Sequence, residues 1–171
     1  AAGTYTVGIS INATDRGCVA VGCPIVQTGT LSIPVTLTRV LSNDCSTSAA
    51  PALSFGSAPL VSSFSTVSQT INVTCSKGST YTVGLSNGSY YSTTRNMASG
   101  TNRLAYEIYK GTSGTNRWGP SGTERWSSTT ATTPATTGTV RAFTYTAQIL
   151  STQLTPAAGS STDSVPVVLS F

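Results

Sequence analysis

Two stretches within the first forty or so residues alternate strictly between apolar and polar or small residues. In residues 4–13, Tyr5, Val7, Ile9, Ile11 and Ala13 fall on one side, and Thr6, Gly8, Ser10 and Asn12 on the other. That period of two predicts a half-buried β-strand. A regular strand at a chain end can dock into a sheet edge, its own or a neighbour's. In residues 30–38, Leu31, Ile33, Val35 and Leu37 alternate in the same way. Pro34 has no N–H to donate, which confines this second strand to an edge or turns the position outward. The alternation recurs through Val67, Ile71 and Val73, then through Tyr81, Val83 and Leu85, and through Leu104, Tyr106 and Ile108. It returns in Phe143, Tyr145, Ala147 and Ile149, and last in Val165, Val167, Leu169 and Phe171. Turn signals such as Ser86-Asn87-Gly88 separate these runs, and Cys18 to Cys23 predicts a short cysteine hairpin. No segment keeps a helical period. About eight short strands with turns between them predict an all-β sandwich. Residues 127–138 (SSTTATTPATTG) lack apolar residues and predict an exposed, mobile loop.

Composition narrows the class. The 171 residues are 38% hydrophobic, which suits one domain with its own core. Charged residues are only 8%, whereas soluble domains carry roughly 25%. Ser and Thr, 57 together, fill the gap. A charge-poor, Thr- and Val-rich chain points to an extracellular β protein rather than to disorder. The net charge of +4 is spread along the sequence without a basic run, so nucleic acid is not an expected partner. No apolar run is long enough for a membrane helix. The start at Ala1 reads as a mature form whose signal peptide has been removed. Cys18, Cys23, Cys45 and Cys75 read as two disulfides in an oxidising compartment, with three pairings open. With no His in the chain, a zinc site is not expected.

Candidate chemistry is sparse. Without His, the usual base of a hydrolase triad is missing. Lys77 and Lys110 adjoin turn glycines and read as solvated. Asp15, Asp44 and Asp163 sit in turn-like contexts, and Glu107, between Tyr106 and Ile108, reads as a solvent-facing strand position. No carboxylate pair across a cleft is evident. The expectation is no enzyme and no cofactor. Tyr90, Tyr91, Trp118 and Trp126 offer a sugar-stacking surface on one reading. On the other, Trp118, before Gly119-Pro120, packs a loop onto the core, and this second reading is preferred.

An ordered set of residues carries a resemblance. It comprises Cys45, Leu53-Ser-Phe55-Gly56, Ile71-Asn-Val-Thr-Cys75, Tyr81-Thr-Val-Gly-Leu85, Arg95-Asn-Met97 and Leu104-Ala-Tyr106-Glu-Ile-Tyr109. Trp118-Gly119, Gln153, Pro156-Ala-Ala-Gly159, Asp163 and residues 165–171 complete it. From Cys45 onward the chain resembles the spore coat protein U domain family, which includes pilins of the archaic chaperone–usher pathway. Ser161 stands where that family often has Tyr. The family usually places one strand before its first cysteine, whereas two candidates precede Cys45 here.

The resemblance implies an incomplete immunoglobulin-like β-sandwich, completed by a donor strand from a neighbouring subunit. The expected division is a donor strand in residues 1–14 (Tyr5, Val7, Ile9, Ile11, Ala13) and a sandwich in residues 15–171. Residues 30–41 are the alternative donor. The acceptor groove is expected beside Val165, Val167, Leu169 and Phe171. Cys45 is implied to pair with Cys75, leaving Cys18 with Cys23; Cys18–Cys75 with Cys23–Cys45 is the alternative. The implied partners are identical subunits joined head to tail, a periplasmic chaperone, an outer-membrane usher and a tip adhesin. The implied place is an extracellular pilus of a Gram-negative bacterium, serving surface adhesion and biofilm formation. The rival readings are a self-complemented coat protein, in which residues 4–13 fold back on their own sheet, and a tip adhesin that binds a surface or sugar.

Overall fold

Most of the longer strands form where the apolar period is two. The computed structural model of the protein describes residues 3–17, 27–41, 44–48, 52–132 and 139–171. The chain divides into two compact units, Ala1–Asn43 and Asp44–Phe171.

The first unit is an antiparallel ladder of β1 (Gly3–Gly17) and β2 (Gln27–Leu41). Its register sets Val7 opposite Leu37, Ile9 opposite Val35, Ile11 opposite Ile33 and Ala13 opposite Leu31. Apolar positions therefore meet apolar positions, the arrangement that stabilises a strand pair. β1 continues past Ala13, so Asp15 pairs with Gly29 inside the ladder instead of lying in a turn. Cys18 and Cys23 lie outside the described residues.

The second unit contains β3 (Cys45–Thr47), β4 (Val67–Cys75), β5 (Thr82–Leu85), β6 (Arg95–Ser99) and β7 (Asn102–Lys110). β8 (Trp126–Ser127), β9 (Val140–Ile149) and β10 (Val167–Ser170) follow. They form a five-stranded sheet in the order β3-β4-β9-β7-β6 and a three-stranded sheet in the order β10-β5-β8, with every named pair antiparallel. Alternate residues of β4, β5, β7 and β9 supply one core shared by both sheets, including Val73, Val83, Tyr106 and Phe143. Cys45 and Cys75 lie directly opposite in register and are joined by a disulfide.

Trp118 is fully buried, with its ring 5.2 Å from Trp126, 6.1 Å from Phe143 and 5.6 Å from Tyr145. Its Nε1–H donates to the Val83 carbonyl at 2.9 Å, which satisfies the one polar atom that burial would otherwise penalise. Trp118 thus packs its loop onto the core, and Trp126 joins it. Neither is open to a sugar. Tyr90 and Tyr91 remain exposed, each with a guanidinium near its ring face, Arg103 at 4.5 Å and Arg117 at 5.6 Å.

Three expectations change. β3, β6 and β8 had no apolar alternation to announce them; Arg95-Asn-Met-Ala-Ser forms β6 because β7 offers its edge. The segment from residue 127 is not wholly a free loop. Ser128 is 2% exposed, its Oγ accepts from the Tyr81 N–H, and its own N–H donates to the Tyr81 carbonyl. Backbone pairing of this kind holds a polar segment down without apolar side chains; residues 133–138 lie outside the described residues. Lys110 is half-buried rather than solvated, because its Nζ donates to the carbonyls of Thr123 and Arg125.

Candidate assembly groove

β10 is an edge strand. β5 takes one side of it, and no strand among the described residues takes the other. Beside it the two sheets part over a groove of about 480 Å³. It is lined by Val165 and Val167, by Leu53 and Phe55, and by Ile71, Leu85 and Tyr106. Residues 52–58 belong to no strand, and Leu53 and Phe55 make no backbone–backbone hydrogen bond among the described residues. The free edge of β10 therefore presents main chain that a further strand could pair with, and Leu53 and Phe55 line the same cavity with no backbone partner of their own among the described residues. Of the expected groove residues, Val165 and Val167 line the cavity, and Leu169 packs partly against the core. Phe171 is 65% exposed, with its ring 6.3 Å from Tyr81. The ladder begins at Val167, not Val165, because residues 161–165 cross from one sheet to the other. Thr162 and Ala98 exchange two backbone hydrogen bonds on the five-stranded side.

Asp163 fixes that crossing. One carboxylate oxygen accepts from the Tyr106 hydroxyl at 2.7 Å, and the other accepts from the N–H groups of Ser89 and Ser164 at 2.8 Å each. A Cβ at Gly88 would collide with this carboxylate, and Gly88 sits at φ +80, so glycine is required twice over. Ser161 also lines the groove.

Arg125 secures β10 from the outer face of its sheet. Its guanidinium donates to the carbonyls of Thr82 and Val168, both at 2.9 Å, and to the Ser170 hydroxyl at 3.0 Å. It lies across Gly84, where a side chain would meet the guanidinium at 2.6 Å.

Glu107, expected to face solvent, is 4% exposed and lies within a charge network. It accepts from Arg95, from Arg117 at 2.8 Å and from the Ile108 N–H at 3.0 Å, and Arg117 also reaches Glu124 at 2.6 Å. Burial alone would pull the Arg117 pKa down, but the two carboxylates outweigh it and raise it. Burial lowers that of Arg95, partly offset by Glu107. Sequence alternation cannot reveal this, because the period is identical whether an outward Glu meets water or two guanidinium groups.

The buried phenols carry a pH dependence. Burial raises the pKa of Tyr81, Tyr106 and Tyr145, with Arg141 opposing it at Tyr81 and the Asp163 carboxylate adding to it at Tyr106. Below the unfolded phenol value of about 10 their protonation is the same in both states. Above it the unfolded chain releases protons that the native state retains, so stability falls as pH rises. Each retained proton steepens the decline by about 1.4 kcal/mol per pH unit. Urea titrations between pH 9 and 12 should show this slope, shallower by about one proton in Tyr106→Phe. An unchanged slope in that variant would remove Tyr106 from the set.

The family profile of the Spore Coat Protein U domain matches residues 19–168. No curated protein matches the sequence. Among solved structures, a chain of the CsuC–CsuE chaperone–tip adhesion subunit pre-assembly complex, from the archaic chaperone-usher Csu pili of Acinetobacter baumannii, is similar at 30% identity with a TM-score of 0.63. The match covers 84% of this chain and 45% of the other, so the protein spans less than half of that relative. On the profile match, the chain belongs to the Spore Coat Protein U domain family, which is structural rather than enzymatic.

Proposed function

We propose that the protein is the main structural subunit of an extracellular chaperone–usher pilus, polymerising head to tail through strand donation for surface adhesion and biofilm formation. The observation that carries this reading is the apolar groove beside an edge strand with one side unpaired. Such an edge is an aggregation hazard unless another strand covers it. A strand laid there gains main-chain hydrogen bonds from β10 and sites for alternate side chains, the mode of strand addition. The occupant is the N-terminal unit of the next copy, which carries the expected donor residues Tyr5, Val7, Ile9, Ile11 and Ala13 at alternate positions of β1, and the same pattern again in β2. The sandwich domain is the part that accepts. A head-to-tail contact does not close on itself and propagates as a filament. A periplasmic chaperone covers the groove before assembly, an outer-membrane usher exchanges it for the next subunit, and a separate tip adhesin ends the fibre.

Electron microscopy of cells expressing the full chain with its chaperone and usher tests this. Filaments labelled along their length are expected, and Val167→Asp should abolish them, because a charge in a dry groove costs several kcal/mol, on the order of the strand's own gain. Label at filament ends alone assigns a tip role, which the exposed Tyr90 and Tyr91 would suit. Normal filaments from Val167→Asp would sink the groove reading.

A further inference from the structure

The N-terminal unit holds one strand more than a single groove needs. Residues 4–12 align without a gap on residues 30–38: Tyr5, Val7, Ile9 and Ile11 fall on Leu31, Ile33, Val35 and Leu37, while Thr4, Thr6 and Ser10 fall on Thr30, Ser32 and Thr36. The same strand pattern is written twice. The two copies do not stand apart, because the register joins them along their whole length, from Gly3 opposite Leu41 to Gly17 opposite Gln27. A two-stranded ladder alone is marginally stable in water, so this one is suited to opening.

Two observations separate the roles of the strands. The family profile matches residues 19–168, so β2 lies within the matched residues and β1 outside them. Two segments lining the groove have main chain without a backbone partner among the described residues, the free edge of β10 and Leu53 with Phe55. A strand that paired with both segments would use both its edges. In the ladder, β1 already occupies one edge of β2.

Resting on the assembly reading above, we propose that β2 is the strand delivered to the neighbouring copy, and that β1 is a resident guard which pairs with it until the groove displaces it. The guard covers an edge of β2 with a sequence of the same apolar period. Exchange then replaces one ladder by another, β1–β2 by β2–β10 of the next subunit, and pairing with the main chain at Leu53 and Phe55 supplies the surplus that drives it.

The test uses the full chain. Thr6 and Thr38 are opposite in register and exposed, so Thr6→Cys with Thr38→Cys staples β1 to β2 at polar positions. The oxidised double variant is expected to form no filaments, each single variant to form them normally, and mild reduction of the exposed staple to restore assembly. Filaments from the stapled chain at the unsubstituted rate would overturn the guard. In parallel, Val35→Asp should abolish filaments, whereas Ile9→Asp, which loosens the ladder from the β1 side, should speed their formation; loss of filaments in Ile9→Asp with normal filaments in Val35→Asp would make β1 the delivered strand and overturn the assignment. If the unsubstituted chain forms no filaments, the assembly reading fails and this proposal falls with it. If it does form them and the staple has no effect, this proposal fails alone.

Discussion

Replacing Arg95 with Met is expected to destabilise the sandwich by about 3–5 kcal/mol, the effect of breaking a buried ion pair from one side. Arg95 is fully buried, and its guanidinium donates to the carbonyls of Leu85, Ser86 and Trp118 as well as to Glu107. These acceptors come from the end of β5, the turn after it and the loop carrying Trp118, so one side chain joins both sheets to the core indole. Met fills much of the volume but offers no donor. The three carbonyls lose a partner and the Glu107 carboxylate keeps only Arg117 and one backbone N–H. Urea unfolding followed by the fluorescence of the buried Trp118 and Trp126 measures the change. Pairing the substitution with Glu107→Gln should recover part of the loss, since it removes the uncompensated charge. A loss below about 1 kcal/mol would mean that water replaces the guanidinium and that the network is peripheral.

Removing the Cys45–Cys75 disulfide through Cys45→Ala with Cys75→Ala is expected to lower stability by about 3–4 kcal/mol, from the chain entropy released in the unfolded state. The bridge spans a sequence separation of 30, and it ties β3, a strand of three residues, to β4. So short a strand has few ladder bonds of its own. The loss should therefore appear first as exchange of the β3 amides, ahead of global unfolding. Hydrogen exchange by mass spectrometry separates the two. Equal protection of β3 in both proteins would show that backbone pairing, and not the bridge, holds this edge.

The strands that could be read from sequence are those whose alternate residues enter the core. β4, β7 and β9 fall where Val73, Tyr106 and Phe143 recur at period two. β6 and β8 could not be read that way, because their positions come from neighbours: β6 from the edge of β7, and β8 from a two-residue match to β5. The last strand, β10, was legible because the apolar period ran on to the end of the sequence, whereas the cavity that Val165 and Val167 line is not written in that period. Leu53 and Phe55, which line the same cavity, could not be read from period either, since they belong to no strand. The burial of Glu107 was misjudged, and the hydrogen bonds of Asp163 were not foreseen, for one shared reason. A carboxylate's sequence neighbours say nothing about a guanidinium or phenol brought to it from a distant segment.

Arg125 has a mechanical consequence. A fibre on a cell surface is pulled along its axis, and on the assembly reading tension enters each subunit through the strand seated beside β10. From there it passes to β5 across four register pairs, Val167 with Leu85 through Ser170 with Thr82. Pulled along their length, paired strands slide only if these bonds yield together. The guanidinium of Arg125, bonded to Thr82 on β5 and to Val168 and Ser170 on β10, is a rivet through that seam. The force at which a subunit tears open is thus set in part by a side chain on the face away from the joint.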